Sequence, residues 1–293
     1  MRLNLEWVDA FVDFADQLNF THAARLRHVS QPALHAQIRK LQDEVGAPLY
    51  HRRGRNLELS AAGRRVAAFG RELRSRERAL LAELHGQDDA PVVLQAGEGA
   101  YLYLLAPGIR RFTRGRANAL ALRVGDAPAT LAAVREGRAD VGVLPLSSSD
   151  KGDDALASGA LEAELVAEVG QMLVLPRDHP LAERAAVELE DLAGLSLIVP
   201  PRDRPLRRAL ASALDERGVD WSVAVEASGW ALILQLAALG VGAAVVNDFC
   251  RLPRGLVGVP VRDLPSLRYV ALRRARQPVS SASARLWQLL TGV

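Results

Sequence analysis

The chain has 293 residues, enough for about two domains, and its 49% hydrophobic and 24% charged residues are typical of a folded globular protein rather than a disordered one. The single cysteine, Cys250, excludes an internal disulfide, a Cys-x-x-Cys redox pair and a zinc site with two or more cysteine ligands. The formal net charge of +3 does not indicate a partner by itself, so the distribution of charge along the chain matters more than its total.

The first 46 residues predict three helices. Apolar residues over 5–18 recur at helical spacing, with four acidic residues on the opposite face. A short second helix, for which Thr21 is the expected N-cap, ends at a tight break over 28–30. Ser30 is the expected N-cap of a third helix, which ends at Gly46.

The third helix carries a polar edge toward its N-terminal end. Gln31, His35 and Arg39 lie four residues apart on one face, and Pro32 is in the first turn. Glutamine can read adenine, arginine can reach guanine, and a helix N-terminus favours phosphate. Two short helices with a tight turn therefore indicate a helix-turn-helix that reads the major groove of DNA. Periodicity alone leaves open the alternative of a helical pair with a solvated polar face.

A basic hairpin is predicted directly after these helices. Residues 49–59 alternate around a glycine-containing turn, with Arg52, Arg53 and Arg55 near the tip. Such a hairpin beside a recognition helix is placed to contact phosphates or the adjacent minor groove. Residues 21–65 carry nine basic side chains against three acidic ones, so the rest of the chain has a negative net charge. This asymmetry favours a surface that binds double-stranded DNA.

A long helix follows, which Ser60 is predicted to cap and which runs to about residue 84. Its apolar residues form a narrow stripe at roughly 3.5-residue spacing, which needs a partner helix to bury it. We expect a dimer that presents two recognition helices to a two-part DNA site. Packing of this helix on its own domain is the alternative. The polar segment 87–91 ends in proline and is the predicted linker.

Five short blocks of the head resemble the winged helix-turn-helix of LysR-type bacterial transcriptional regulators. One departure follows Leu34, where the family usually has serine and then a basic residue but this chain has His35 and Ala36. The DNA contacts that the resemblance implies are Gln31, Pro32, His35 and Arg39 in the helix and Arg52, Arg53 and Arg55 in the wing. The blocks are Phe20-Thr-His-Ala-Ala, Val29-Ser-Gln-Pro-Ala-Leu, Gln37-Ile-Arg-Lys-Leu-Gln, Gly46-Ala-Pro-Leu-Tyr and Leu59-Ser-Ala-Ala-Gly63.

The resemblance implies three parts. They are a winged helix-turn-helix DNA-binding domain over 1–59, a linker and dimerisation helix with a hinge over 60–90, and an effector-binding domain over 91–293. It also implies a homodimer or homotetramer, contact with RNA polymerase and a small-molecule effector, an organic acid or an aromatic metabolite. No catalytic residue, cofactor or metal is expected.

Beyond residue 91 the pattern predicts α/β layers with mostly parallel sheets, because short apolar segments alternate with amphipathic ones. Strands are predicted over 92–96, 119–124, 139–144, 161–166, 172–175, 195–199, 223–225 and 242–246. Helices are predicted over 102–112, about 130–136, 204–217 and 230–239. By the family resemblance this part is similar to a periplasmic binding protein, with one α/β lobe at about 91–161 plus 267–293 and the other at about 162–266.

Small molecules bind such sheets beyond the carboxyl ends of the strands, near helix N-termini. The expected effector-binding residues at these places are Gly99, Ala100, Tyr101, Ala127, Pro201, Arg202, Arg204, Ser228 and Trp230. Regulators of the family often use serine or threonine hydroxyls here, but this chain has none at Gly99, Ala100 or Ala127 and adds Glu98. Arg202 or Arg204 could supply a counter-charge, or they could be solvated. Tyr101 and Trp230 could stack on a ligand, or they could be packed.

Motif searches find no enzyme signature. The chain has no phosphate-binding loop, no complete dinucleotide fingerprint, no His-Glu-x-x-His and no Gly-x-Ser-x-Gly. Two alternatives to a ligand-responsive regulator stay open: a DNA-binding regulator whose effector domain serves oligomerisation only, and a solute-binding protein or small enzyme with an incidental helical head. Acidic residues near the N-terminus and the interruptions within 230–246 predict a cytoplasmic protein without a secretory signal or a membrane span.

Overall fold

The computed structural model describes residues 3–54, 56–85, 91–116, 119–146, 159–275 and 280–292. The head consists of α1 (Leu5–Gln17), α2 (Phe20–Leu26), α3 (Gln31–Val45), a hairpin of β1 (Tyr50–Arg53) and β2 (Asn56–Leu59), and the long helix α4 (Ala61–His85). The predicted three helices, hairpin and long helix are confirmed. Within the described ranges, every helix is too short or too polar to cross a membrane.

Side-chain caps set the helix boundaries of the head. Ser30 Oγ accepts a hydrogen bond from the backbone N–H of Ala33, and Gly46 ends α3 in the left-handed region with φ of 71°. The expected cap at Thr21 is wrong, because Asn19 Oδ1 accepts from the N–H of His22 and starts α2 earlier. Thr21 lies inside the helix instead.

The core of the head joins α4 to the other elements. Phe11, Phe14, Leu34, Leu41 and Leu49 are fully buried. Packing on its own domain, the alternative for α4, holds for the N-terminal part of the helix. Its N-terminal part packs on α1, with the buried residues Ala67 and Arg71, whereas Phe69, Leu80, Leu81 and Leu84 are exposed. The predicted linker 87–91 lies outside the described residues except for Pro91.

The rest of the chain forms two five-stranded sheets. The first has the order β4 (Leu120–Val124), β3 (Val92–Ala96), β5 (Val141–Leu146), β12 (Leu267–Arg274) and β6 (Leu161–Val169). The second has the order β11 (Leu256–Pro260), β7 (Gln171–Pro176), β10 (Ala243–Asn247), β8 (Ser196–Val199) and β9 (Ser222–Glu226).

The expectation of mostly parallel sheets is wrong, because each sheet has two parallel and two antiparallel strand pairs. Strand β6 leads from the first sheet to the second through Gly170, and β12 returns, so these two strands run in opposite directions. The prediction that the second lobe begins at about 162 also needs correction, since β6 is hydrogen-bonded in the first sheet along its whole length.

Helices pack against these sheets, and their bounds differ in places from the prediction. They are α5 (Ala106–Thr113), α6 (Ala127–Arg135), α7 (Pro205–Glu216), α8 (Trp230–Ala238) and α9 (Ser281–Thr291). The predicted helix over 102–112 is divided into a π-helical turn (Ala100–Leu104) and α5, because Pro107 has no N–H to continue the ladder. Short 3₁₀ turns occur at Pro180–Glu183 and Leu189–Leu192. Strands β11 and β12 and helix α9 were not predicted.

Candidate nucleic-acid interface and ligand cleft

The polar edge of α3 faces solvent. Gln31, Pro32, His35 and Arg39 are all exposed. The opposite face of the helix is anchored in the core of the head by fully buried Leu34, Ile38 and Leu41. The structure therefore brings the four predicted residues of α3 to one accessible surface.

Two of these side chains are held by residues of α2. The hydroxyl of Thr21 donates to Oε1 of Gln31 at 2.9 Å, which leaves the amide N–H groups of Gln31 to donate elsewhere. The ring of His35 is stacked on Phe20, with ring centroids 3.6 Å apart. Phe20 also contacts Tyr50 at the start of β1, with centroids 5.4 Å apart. Phe20 thus ties the polar edge of α3 to the base of the hairpin.

The hairpin presents its arginines to solvent. Arg52 pairs with Leu57 and Arg53 with Asn56 across the two strands, and both arginines are exposed. Gly54 turns the chain at the tip with φ of 62°, a conformation that favours glycine. Arg53 Nη1 lies 3.7 Å from Oε1 of Glu58, and the arginine side chain remains 81% exposed. The third predicted residue, Arg55, lies outside the described residues.

Not every basic residue of the head contributes to this surface. Arg27 bonds to Asp9 and Asp13 at 2.7 and 2.6 Å, and Arg74 bonds to the same two carboxylates. Burial alone would raise the pKa of Asp9, but hydrogen bonds from Arg74 and Arg27 outweigh it and lower the pKa. These four side chains fasten α1, α2 and α4 together, so Arg27 is structural. The charge count of the sequence did not make this distinction.

A cavity of about 350 Å³ lies between the two sheets. Of the nine predicted effector-binding residues, seven line it: Gly99, Ala100, Ala127, Pro201, Arg204, Ser228 and Trp230.

Tyr101 and Arg202 do not line this cavity. The hydroxyl of Tyr101 is 2.7 Å from the carbonyl oxygen of Leu94 and 2.8 Å from that of Arg123, and burial raises its pKa to about 12. Tyr101 is therefore a packed residue of the first lobe, which was one of the two alternatives for it. Arg202 is exposed to solvent, which was also one of its alternatives.

The two lobes touch where Trp230 covers Gly99. A methyl group at Gly99 would lie 2.1 Å from Cδ1 of Trp230, so only glycine leaves room for the indole. Beside this contact, Gly229 has φ of 89°, and a methyl group on it would lie 3.0 Å from Oε2 of Glu98. The indole thus occupies the space beside residue 99 where the resemblance suggested a hydroxyl. Trp230 both packs and lines the cavity.

An ion pair also spans the cleft. Arg204 Nη1, at the start of α7, lies 3.8 Å from Oδ2 of Asp126 in the first lobe. Asp126 also caps α6, since its Oδ1 accepts from the N–H of Ala129 at 2.9 Å. The pair is loose and partly exposed, because 41% of the Arg204 side chain and 37% of the Asp126 side chain are accessible.

The deep wall of the cavity contains polar residues that the sequence analysis missed. Asn247, at the end of β10, and Tyr269, on β12, are buried and line the cavity, and Asn247 Nδ2 lies 3.0 Å from the Tyr269 hydroxyl. Within the described part of the chain, Oδ1 of Asn247 has no hydrogen-bond partner. A polar residue directly after the apolar segment 242–246 could have been noticed, whereas β12 gave no comparable signal.

Outside the cleft, three carboxylates lie close enough together to hold a cation. They belong to Glu188, Glu190 and Asp263. Arg217 is already bonded to Glu190 and Asp263 there, so a guanidinium supplies the positive charge.

Both parts of the chain match models of known protein families. Residues 5–64 match a family model described as bacterial regulatory helix-turn-helix protein, lysR family. Residues 85–293 match a second model, described as LysR substrate binding domain. Among similar curated proteins, the RuBisCO operon transcriptional regulator of Allochromatium vinosum is 27% identical, over 97% of this chain and 94% of its own length. The probable cat1 operon transcriptional activator of Acinetobacter lwoffii is 30% identical, over 82% of this chain and 79% of its own length.

Solved structures show the same fold. A full-length OxyR variant from Pseudomonas aeruginosa superposes with a TM-score of 0.77 at 21% identity, over 99% of this chain and 95% of that one. The LysR-family regulator CbnR, crystallised with its target DNA, superposes with a TM-score of 0.61 at 19% identity, over 98% of this chain and 99% of that one.

Proposed function

The chain belongs to the LysR family of bacterial transcriptional regulators, and from this premise we propose that α3 and the β1–β2 wing read a DNA operator while a small molecule between the lobes controls the reading. The family consists of transcriptional regulators rather than enzymes, and the matched relatives are named as regulators.

The exposed polar edge of α3 is the observation that carries the DNA-binding part. Gln31 lies in the first turn of α3, and its amide N–H groups are available to acceptors on base edges in the major groove. Arg39 has no ion-pair partner within the described part of the chain and can reach a guanine or a phosphate. His35 is stacked on Phe20, so its role is to present one ring edge in a fixed orientation.

The wing supplies contacts that do not depend on sequence. Arg52 and Arg53 are exposed, and we assign them, together with Arg55, to phosphates or the adjacent minor groove. Such contacts position the head on the duplex, whereas the α3 contacts select the operator.

Two copies of the head are needed to read a two-part operator. Leu80, Leu81 and Leu84 are exposed on the C-terminal half of α4. We assign this surface to a second copy of the chain in a homodimer or homotetramer, since a narrow apolar stripe on a long helix is stable only against a partner helix. The dimer would place two α3 helices about one DNA turn apart or a multiple of it.

The cavity between the lobes favours the hypothesis that the domain binds an effector over the alternative that it serves oligomerisation only. It lies at the ends of β3, β5 and β10 and beside the N-termini of α6 and α8, where α/β sheets bind ligands. A ligand that binds one relative orientation of the lobes more tightly shifts the population toward it. The altered orientation would reach the heads and their contact with RNA polymerase through α4.

Fluorescence anisotropy with a duplex from the region upstream of the gene tests the DNA-binding part. Several phosphate contacts should weaken binding at least tenfold between about 50 and 200 mM salt. Arg53→Ala should weaken binding equally on operator and random duplex, whereas Gln31→Ala should lower only the preference for the operator. Arg251→Ala, at an exposed position of the second lobe, is the matched charge control. It should change neither the affinity for DNA nor the preference for the operator. Binding without salt dependence, or equal losses for Gln31→Ala on both duplexes, would contradict the assignment.

A further inference from the structure

The cleft carries more negative than positive charge. Among the described residues that line it, the ionised side chains are two carboxylates, Glu98 and Asp126, and one guanidinium, Arg204. The positive charge already has a partner, since Arg204 lies 3.8 Å from Asp126. Glu98 has no ion-pair partner within the described part of the chain. The uncompensated charge on this cavity is therefore that of Glu98.

One of the helix N-termini beside the cavity is already capped by a carboxylate. A helix N-terminus attracts an anion because its first N–H groups have no acceptor within the helix. At α6 the side chain of Asp126 already accepts from the N–H of Ala129. At α8 the N-cap residue Gly229 has no side chain to serve as a cap, and a methyl group on it would lie 3.0 Å from Oε2 of Glu98 in the opposite lobe. At α7 the first residue is Pro205, so this N-terminus has one N–H group fewer than the others.

The remaining walls are apolar, with one polar group at depth. The indole of Trp230 and the side chains of Ile233, Leu206 and Leu267 line the cavity. At the deep end, Oδ1 of Asn247 is buried and has no partner within the described part of the chain. A buried acceptor without a partner is costly, and a ligand N–H would satisfy it.

We infer that the effector is a small organic cation, an apolar or aromatic body that carries a protonated amine, rather than a carboxylate. This inference rests on the proposed effector function of the cleft. Glu98 would be the counter-charge of the amine, and Trp230 would offer its ring face to the cation or to the apolar body. A carboxylate would instead meet Glu98 and would have to displace Asp126 from Arg204.

Three probes of one shape and different charge test the inference on the full-length protein. They are benzylamine, benzyl alcohol and benzoate, with binding measured by calorimetry and by the shift of the unfolding temperature. Benzylamine should bind at least tenfold more tightly than benzoate, with benzyl alcohol between them. Glu98→Gln should remove this preference, Glu98→Asp should keep it, and Glu183→Gln, at an exposed position outside the cleft, should not affect it.

Two results would overturn the inference. One is tighter binding of benzoate that Arg204→Gln abolishes, which would make the cleft an anion site. The other is no saturable binding of benzylamine to the wild-type protein. The ranking of the three probes on the wild-type chain decides the question even if Glu98→Gln fails to fold. The salt-dependent DNA titration needs no effector, so failure of the inference is distinguishable from failure of the regulator assignment.

Discussion

Two joints between the parts of this chain each contain an arginine, but the two arginines lie in opposite environments. Between the head and the first lobe, Arg71 of α4 is only 6% exposed. It donates from Nε and Nη2 to Oδ1 of Asp16 on α1, at 3.1 and 2.5 Å, and from Nη1 to the carbonyl oxygen of Glu136 at 3.0 Å. Between the lobes, Arg204 is 41% exposed and lies 3.8 Å from a single carboxylate.

The difference indicates which of the two ion pairs costs less to break. A buried guanidinium with several hydrogen bonds loses most of them at once if it is displaced, whereas an exposed ion pair exchanges readily with water. Both joints meet the same helix, since Asp126 caps the start of α6 and Glu136 follows its end. Helix α6 therefore connects the cleft to the contact between the first lobe and the head.

Among the substitutions considered, removal of Arg71 should lower the unfolding free energy most. Arg71→Met keeps much of the side-chain volume but leaves Asp16 and the Glu136 carbonyl without their donor. Because Asp16 is itself partly exposed, we expect a loss of about 2 to 3 kcal/mol of unfolding free energy, below the usual cost of breaking a fully buried pair. Chemical denaturation of the full-length chain measures it.

The matched control for that variant lies on the same helix. Arg76 is 54% exposed and pairs with Glu72 one turn away, so Arg76→Met should cost no more than about 0.5 kcal/mol. Equal losses for Arg71→Met and Arg76→Met would show that the joint between the head and the first lobe is not a buried one.

A smaller but still clear effect is expected from Gly99→Ala. The new methyl group would lie 2.1 Å from Cδ1 of Trp230 and must push the indole or the lobes apart, at a cost of about 1 to 3 kcal/mol. Gly97→Ala is the control, since its methyl group would meet only the Gly125 carbonyl oxygen at 3.9 Å. Thermal unfolding measures both variants. If Trp230→Ala does not relieve the Gly99→Ala defect in the double variant, the contact between the lobes is not where the structure places it.

The sequence predicted the head better than it predicted either joint. Caps and turns are local signals, so Ser30, Gly46 and the hairpin around Gly54 could be read from neighbouring residues. The polar edge of α3 follows from the same local periodicity. The joints depend on residues far apart in the chain: Arg71 meets Glu136, and Trp230 meets Gly99. No spacing rule connects such pairs.

The cleft, too, could be predicted only where local sequence signals were present. Seven of its residues could be placed because strand ends and helix starts converge at one edge of an α/β sheet. Tyr101 was misplaced on the cleft because the π-helical turn Ala100–Leu104 directs its hydroxyl back to the carbonyl oxygens of Leu94 and Arg123. Tyr269 was missed because β12 joins the first sheet only after the chain has passed through the second lobe.

The smallest effect on stability should come from Arg204, the arginine at the cleft. Its ion pair can be compared directly with that of Arg71. Asp126→Asn keeps a good helix cap and removes only the charge, so with Arg204→Gln it forms a clean double-mutant cycle. We expect a coupling energy of no more than about 1 kcal/mol between Arg204 and Asp126, falling further at high salt. The corresponding cycle of Arg71→Met with Asp16→Asn should give a larger value that salt changes little, because the Arg71 guanidinium is shielded from solvent. Couplings of equal size and equal salt dependence would mean that the two ion pairs are equally shielded from solvent, and the contrast between the two joints would be lost.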